Sequence, residues 1–132
     1  MLEVAPEEPE PMSARLLIVD DNPQFLTAAR DLLTRQGCEV VAVASNGAEA
    51  VRLATQYMPD AVLVDVDLGP ENGFEVAQGL VSEHRQRVVM ISAYGEGEFA
   101  EIIASSPALG FISKAELSAG TIRALLVGEQ PG

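Results

Sequence analysis

The feature that most constrains the fold is an alternation of short apolar runs with longer amphipathic segments. From Arg15 onward, runs rich in Val, Ile and Leu are separated by segments whose apolar residues recur at helical spacing. Half-exposed antiparallel strands would alternate apolar and polar residues. These runs are nearly continuous, as in parallel strands covered on both faces. The predicted strands are 15–19, 39–44, 61–64, 87–92 and 110–113.

A helical segment follows each run. Asn22 is suited to cap the first of these helices and Gly37 to end it. Five β–α units joined by right-handed crossovers predict an α/β fold, a doubly wound three-layer αβα sandwich. The predicted helices are 23–37, 46–58, 73–84, 97–107 and 115–128.

Length and composition indicate one cytoplasmic domain. The 132 residues are enough for a single core, which we expect within 14–128, between tails at 1–13 and 129–132. The first tail is rich in Glu and Pro, has no basic residue and is predicted to be disordered. The net charge of −12 argues against direct nucleic-acid binding by this chain. No apolar stretch reaches the ~18 residues of a membrane span.

Polar side chains follow four of the predicted strands. In an open parallel sheet the ligand site lies at the carboxyl ends of the strands, so these residues should meet at one edge. The residues at these ends are Asp20 and Asp21 after the first strand, Asp65 and Asp67 after the third, Ser92 as the last residue of the fourth and Lys114 after the fifth.

These residue types suit phosphoryl transfer. Clustered carboxylates repel one another, and a Mg²⁺ ion, which prefers oxygen ligands, would relieve that repulsion. Lys114 can pair with Asp65 or with phosphate oxygens, and Ser92 offers a hydroxyl donor. Since carboxylates form aspartyl-phosphates, Asp65 is the candidate nucleophile.

Four stretches carry a resemblance to a known family. In order, content and spacing, "LIVDDNP", "AVLVDVDLGPENGFE", "VVMISA" and "GFISK" resemble the receiver domain of two-component response regulators, from about Arg15 to Val127. The resemblance implies a flavodoxin-like (βα)5 fold with a five-stranded parallel sheet of order 2-1-3-4-5. It also implies phosphorylation of Asp65 by a histidine kinase or a histidine phosphotransfer protein.

The same resemblance assigns a magnesium site. Asp21 would bind Mg²⁺ directly and Asp20 largely through water, while Asp65 and the backbone carbonyl of Asp67 would complete the protein ligands. Lys114 would hold phosphoryl oxygens together with the Ser92 hydroxyl.

The resemblance further implies a switch. Ser92 would move towards the phosphoryl group, and Phe111 would turn inward behind it. The surface of the fourth helix, fifth strand and fifth helix would then change for an unidentified protein target. Phe111 replaces a frequent tyrosine, and Asp67, Ala93 and Tyr94 occupy positions expected to modulate phosphoryl lifetime.

Three other interpretations compete with this one. The pair Asp20–Asp21 could be acids favoured by a helix N-terminus, which would leave Asp65 and Lys114 unexplained. A degenerate receiver could serve as a protein-binding module, although the complete set of site residues argues against it. "VLVDVDLG" also resembles the D-x-D motif of haloacid dehalogenase-type phosphatases, but their nucleophile usually follows the first strand.

The sequence leaves the output open. Few residues follow Val127, so we expect either a single-domain, chemotaxis-like receiver or a piece of a longer regulator. A homodimer is compatible with either arrangement. His84 lies in a polar stretch and is expected at the surface without a metal or phosphotransfer role.

Overall fold

Five parallel strands form the central sheet of the computed structural model, which describes residues 13–128. With the strands numbered along the chain, their order in the sheet is 2-1-3-4-5, which confirms the predicted fold class and topology. Residues 1–12 and 129–132, covering most of the first predicted tail and all of the second, lie outside the described residues. The strands are β1 (Arg15–Val19), β2 (Glu39–Ala44), β3 (Ala61–Asp65), β4 (Val88–Ser92) and β5 (Gly110–Ser113).

Helices cover both faces of the sheet and bury two apolar cores. Successive residues of a strand point to opposite faces, so Leu16 and Ile18 pack with α1 and α5 residues, whereas Leu17 and Val19 pack with α2 and α3 residues. No helix among residues 13–128 is long and apolar enough to cross a membrane. The helices are α1 (Pro23–Arg35), α2 (Gly47–Tyr57), α3 (Gly73–His84), α4 (Ala100–Ser105) and α5 (Ala119–Gly128).

The ends of α1 follow the local sequence signals. The Asn22 side chain accepts hydrogen bonds from the N–H groups of Gln24 and Phe25, and Pro23 occupies the first turn. Gly37 adopts a φ of 97° just beyond the helix, a left-handed conformation that glycine adopts without steric cost. Asn22 and Gly37 therefore cap and end this helix as predicted.

The prediction for the last helix was wrong at its start. Residues Lys114–Glu116 form a 3₁₀ turn, and α5 begins only at Ala119. The Ser118 hydroxyl accepts a hydrogen bond from the Thr121 N–H, and the Thr121 hydroxyl accepts one from the Ser118 N–H. This reciprocal pair satisfies one backbone donor at Ser118 and one at Thr121, and it caps the helix that begins at Ala119.

Two further segments differ from the predicted elements. The fourth helical segment is a 3₁₀ turn, Glu96–Phe99, followed by a short α4. The chain after Asp65 forms an antiparallel hairpin of Asp67–Leu68 with Glu71–Asn72, in a segment for which the sequence predicted neither a strand nor a helix. We call the segment 67–72 the acid-site hairpin.

Candidate functional site

Three carboxylates converge at the carboxyl edge of the sheet. Asp20 and Asp21 come directly after β1, and Asp65 is the last residue of β3. Because β1 and β3 are paired, with Val19 opposite Val64, both strands deliver their acids to one place. One carboxylate oxygen from each acid lies within 4.8 Å of the others.

The oxygens of Asp20 fit a cation. Asp20 is fully buried, and its Oδ1 accepts a hydrogen bond from the Asn22 N–H at 2.9 Å. Its Oδ2 forms an ion pair with Lys114, whose Nζ lies 2.6 Å away. The same ammonium also faces Asp65, so one positive charge is shared among the three clustered acids. A hard divalent cation, which prefers oxygen ligands, would compensate the remaining negative charge. The three acids are therefore a chemically suitable metal-binding set.

Lys114 contacts two of these acids and an aromatic ring. Its Nζ lies 3.2 Å from Oδ2 of Asp65 and 4.1 Å from the centroid of the Phe25 ring. Burial acts to lower the pKa of Lys114, but the carboxylates of Asp20 and Asp65 outweigh it and raise that pKa. The ammonium therefore stays charged at neutral pH. No local sequence pattern predicts this cation–π contact, because Phe25 and Lys114 are far apart along the chain.

Asp65 is the acid with the most perturbed ionisation. Burial raises the pKa of Asp65 to about 6, and the charge of Asp20 adds to this effect. A hydrogen bond from the Asp67 N–H, 3.2 Å from Oδ1, and the Lys114 ammonium oppose it. The carboxylate is therefore ionised, and available as a nucleophile or ligand, at neutral pH.

This raised pKa predicts that Mg²⁺ binding is pH-dependent. The folded protein keeps a proton on Asp65 between about pH 4 and 6 that the unfolded chain has lost, so this group's contribution to metal-free stability falls as pH rises through that window. A metal ligand must be deprotonated, so we expect Mg²⁺ affinity about tenfold weaker at pH 5 than at pH 7. Isothermal titration calorimetry checks this. Equal affinities at the two pH values would contradict it, and Asp65→Asn should lose most of the dependence.

Two glycines let the backbone approach the acids closely. A Cβ at Gly69 would lie 2.9 Å from Oδ2 of Asp21, and a Cβ at Gly73 would lie 1.9 Å from the backbone oxygen of Asp65. Gly69 also has a φ of 75°, and its N–H donates to the exposed Asp67 carboxylate. The acid-site hairpin and the start of α3 therefore lie against the acid cluster.

Ser92 is buried at the same edge. In the sheet Ile91 pairs with Asp65, so Ser92 lies one residue beyond that pair. Its Oγ accepts a hydrogen bond from the Tyr94 N–H at 3.0 Å. Ala93 and Tyr94 are both exposed, and Tyr94 lines one surface pocket together with residues of the acid-site hairpin.

Phe111 belongs to a row of three aromatic rings. It is half-buried on β5, and its ring centroid lies 6.2 Å from that of Phe99. Phe99 in turn lies 6.0 Å from Phe74, in the first turn of α3. The row thus connects β5 to the helix that begins directly after the acid-site hairpin.

His84 and Cys38 lie elsewhere. His84 is half-buried at the end of α3 and lines a groove between α2 and α3, so the expectation of a surface histidine was only partly right. Cys38 is buried, and burial raises the pKa of its thiol. A buried thiol with a raised pKa is unreactive.

The comparisons with known proteins agree on one family. A family profile described as "Response regulator receiver domain" matches residues 16–126. The DNA-binding transcriptional activator EvgA of Escherichia coli is 32% identical over 101 residues, which is 76% of this chain and 50% of EvgA. The chain spans about half the length of the first curated relatives it matches.

Solved structures give the same result. A LuxR-family two-component response regulator from Aurantimonas sp. SI85-9A1 superposes with a TM-score of 0.78 at 30% identity, covering 88% of this chain and 86% of that one. The response regulator domain of Thermotoga maritima CheB superposes with a TM-score of 0.71 at 26% identity, covering 88% and 95%.

Proposed function

Since the chain belongs to the response regulator receiver domain family, we propose that it accepts a phosphoryl group on Asp65 from a histidine kinase or a histidine phosphotransfer protein. The observation that carries this proposal is the placement of Asp65. It is a buried carboxylate at the end of a central strand, with Lys114 and the carboxylates of Asp20 and Asp21 around it.

The reaction needs an ionised nucleophile and a site that neutralises charge. A carboxylate oxygen of Asp65 forms a bond to phosphorus while the phosphorus–nitrogen bond to the donor imidazole breaks. Asp20, Asp21, Asp65 and the backbone carbonyl of Asp67 would hold Mg²⁺, which neutralises phosphoryl oxygen charge when bound. Asp65 is ionised above a pKa of about 6, as a nucleophile must be at neutral pH.

Lys114 and Ser92 would hold the transferred group. The Lys114 ammonium is already at the edge of the acid cluster and would pair with a phosphoryl oxygen. The Ser92 oxygen accepts from the Tyr94 N–H, which leaves the hydroxyl proton of Ser92 for donation. Tyr94, Ala93 and Asp67 are exposed and would set the lifetime of the acyl phosphate by limiting the approach of water.

The proposed output is a change in the surface of α4, β5 and α5. Phe111 lies on β5, which is part of that surface and pairs with the strand that ends in Ser92. Its contact with Phe99 links it to the turn before α4. The bound phosphoryl group would favour one of two arrangements of this surface, which a protein target would recognise.

Replacing Phe111 should separate phosphoryl uptake by Asp65 from the conformational change at α4. Phe111→Ala removes the ring contact with Phe99 but no side chain of the acid cluster. We expect Mg²⁺-dependent phosphoryl uptake within about threefold of wild type, while the change in α4 amide exchange falls by more than about half. Hydrogen–deuterium exchange with and without beryllium fluoride measures the second quantity. An unchanged α4 response would remove Phe111 from the switch.

The stoichiometry of uptake tests the proposed function. Incubation with acetyl phosphate and Mg²⁺ should add one phosphoryl group per chain by intact mass, without multiple turnovers of a generic phosphoester. Continuous hydrolysis of p-nitrophenyl phosphate would favour a phosphatase of the haloacid dehalogenase type. No uptake at all would favour a degenerate receiver that only binds proteins.

The wider role follows from this chemistry. The chain would have no enzymatic activity beyond its own phosphorylation and dephosphorylation. Its signal would pass through contact with an unidentified protein target. Homodimer formation and a cytoplasmic location stay predictions from the sequence.

A further inference from the structure

A hydrogen bond joins the acid-site hairpin to the start of α2. Oε1 of Glu71 accepts from the backbone N–H of Gly47 at 2.8 Å, across 24 residues of chain. Gly47 is the first residue of α2, and the N–H groups of a helix's first turn have no partner inside the helix. Glu71 thus satisfies a donor that would otherwise be free and places its charge at the positive end of the helix.

The space for this carboxylate exists because residue 47 is glycine. A Cβ at that position would lie 3.0 Å from Oε2 of Glu71 and 3.1 Å from Cγ2 of Val76. Both distances are shorter than ordinary van der Waals contacts. Gly47 therefore permits the close approach of Glu71 to the helix.

The hydrogen bond between Glu71 and Gly47 restrains the second strand of the acid-site hairpin. Glu71 pairs with Leu68 in the hairpin, and Leu68 is buried in the core formed with α2 and α3. On its other side the hairpin carries Asp67, whose N–H donates to Asp65, and Gly69, which lies against Asp21. Leu68 and Glu71 thus fix the segment to the core and to α2. Asp67 and Gly69 hold it against the acid cluster.

We propose that Glu71 is a positioning residue for the divalent cation. Its bond to Gly47 holds the acid-site hairpin in place before the ion arrives, so that binding does not have to order this segment. Preorganised ligands bind more tightly because the ordering cost has already been met, and loss of outer partners of metal ligands weakens metal affinity. The inference rests on the proposed function, since it concerns the Mg²⁺ site of that function.

Three variants separate the effect of this hydrogen bond on Mg²⁺ affinity from the effect of the negative charge. Glu71→Ala removes the acceptor, whereas Glu71→Gln keeps an acceptor oxygen and removes only the charge. Glu75→Ala removes the same charge from an exposed position in the first turn of α3 and leaves the bond to Gly47 intact. By isothermal titration calorimetry with MgCl₂, we expect the dissociation constant to rise about tenfold in Glu71→Ala. It should stay within about twofold of wild type in the other two variants.

The remaining outcomes decide against the proposal. An unchanged dissociation constant in Glu71→Ala, with only a lower melting temperature, makes Glu71 merely structural and overturns it. If Glu71→Gln and Glu75→Ala weaken Mg²⁺ binding as much as Glu71→Ala does, the effect comes from charge, and the proposal is overturned as well. If Glu71→Ala does not fold, Gly47→Ala crowds the same carboxylate and must weaken Mg²⁺ binding in its place. A wild-type chain that binds no Mg²⁺ refutes the proposed metal site itself, a failure distinct from that of Glu71 alone.

Discussion

Asp65→Asn is expected to abolish phosphoryl uptake, with less than about 1% of the wild-type modification after incubation with acetyl phosphate and Mg²⁺. A neutral amide oxygen is a far weaker nucleophile than a carboxylate. Asp65 is also the one acid of this cluster that belongs to a strand, since it ends β3, which pairs with β1 and β4. Asp20 and Asp21 follow β1 in the adjacent loop, whereas Asp65 is the last residue of β3 itself. Intact mass spectrometry measures the modification, and the response to beryllium fluoride should disappear with it.

Asp31→Asn is the matched control for this substitution. Asp31 lies on the exposed face of α1, where it pairs with Arg35, and should accept the same substitution with wild-type uptake. Equal modification of the Asp65→Asn variant and wild type would exclude Asp65 as the acceptor.

The Asp65→Asn variant should also have a larger free energy of unfolding than wild type at pH 7 in the absence of metal. Burial raises the pKa of Asp65 from 3.8 to about 6, so ionising it in the folded protein costs on the order of 3 kcal/mol. Asparagine avoids this cost, and the gain should shrink as pH falls towards 4, where the wild-type carboxyl is protonated. Urea unfolding at pH 4 and pH 7 tests the sign.

Gly73→Ala is expected to destabilise the protein by more than about 3 kcal/mol. An added Cβ would lie 1.9 Å from the backbone oxygen of Asp65 and 2.8 Å from its carbonyl carbon. These neighbours are backbone atoms at the end of a central strand and cannot move aside as a side chain could. The start of α3 or the end of β3 must shift, so Mg²⁺ affinity should fall as well.

Gly79→Ala provides a control within the same helix. Nothing lies within 4 Å of the position that its Cβ would take, and alanine favours the helical backbone. We expect this variant to gain about 0.5–1 kcal/mol in urea unfolding. Similar losses of stability in both variants would show that helix α3 tolerates no added methyl group, and that contact with Asp65 is not the cause.

The sequence was most informative where one local signal decides the structure. The continuous apolar runs of β1 and β3 predicted covered parallel strands, and those strands end within a residue of the expected positions. The placement of Asp20, Asp21 and Asp65 at one edge follows directly from that, because both strands end there. Asn22, through its side-chain oxygen, and Gly37, through its left-handed backbone, marked the two ends of α1.

The parts that the sequence did not predict depend on contacts between distant residues. The acid-site hairpin has strands of only two residues each, too short for any periodicity, and Glu71 is tied to Gly47 by a bond across the fold. The late start of α5 at Ala119 rests on a Ser118–Thr121 pair inside a segment whose apolar spacing continued upstream. The contact of Phe25 with Lys114 joins α1 to the loop after β5, which no local pattern reveals.

The sharing of one ammonium among the acids has an electrical consequence. The three clustered acids carry three formal negative charges and Lys114 one positive, which leaves a formal surplus of two. A divalent ion cancels that surplus, whereas a monovalent ion leaves half of it. Folding of the metal-free protein should therefore respond strongly to ionic strength, and the Mg²⁺-loaded protein weakly, because only the first has unbalanced charge to screen.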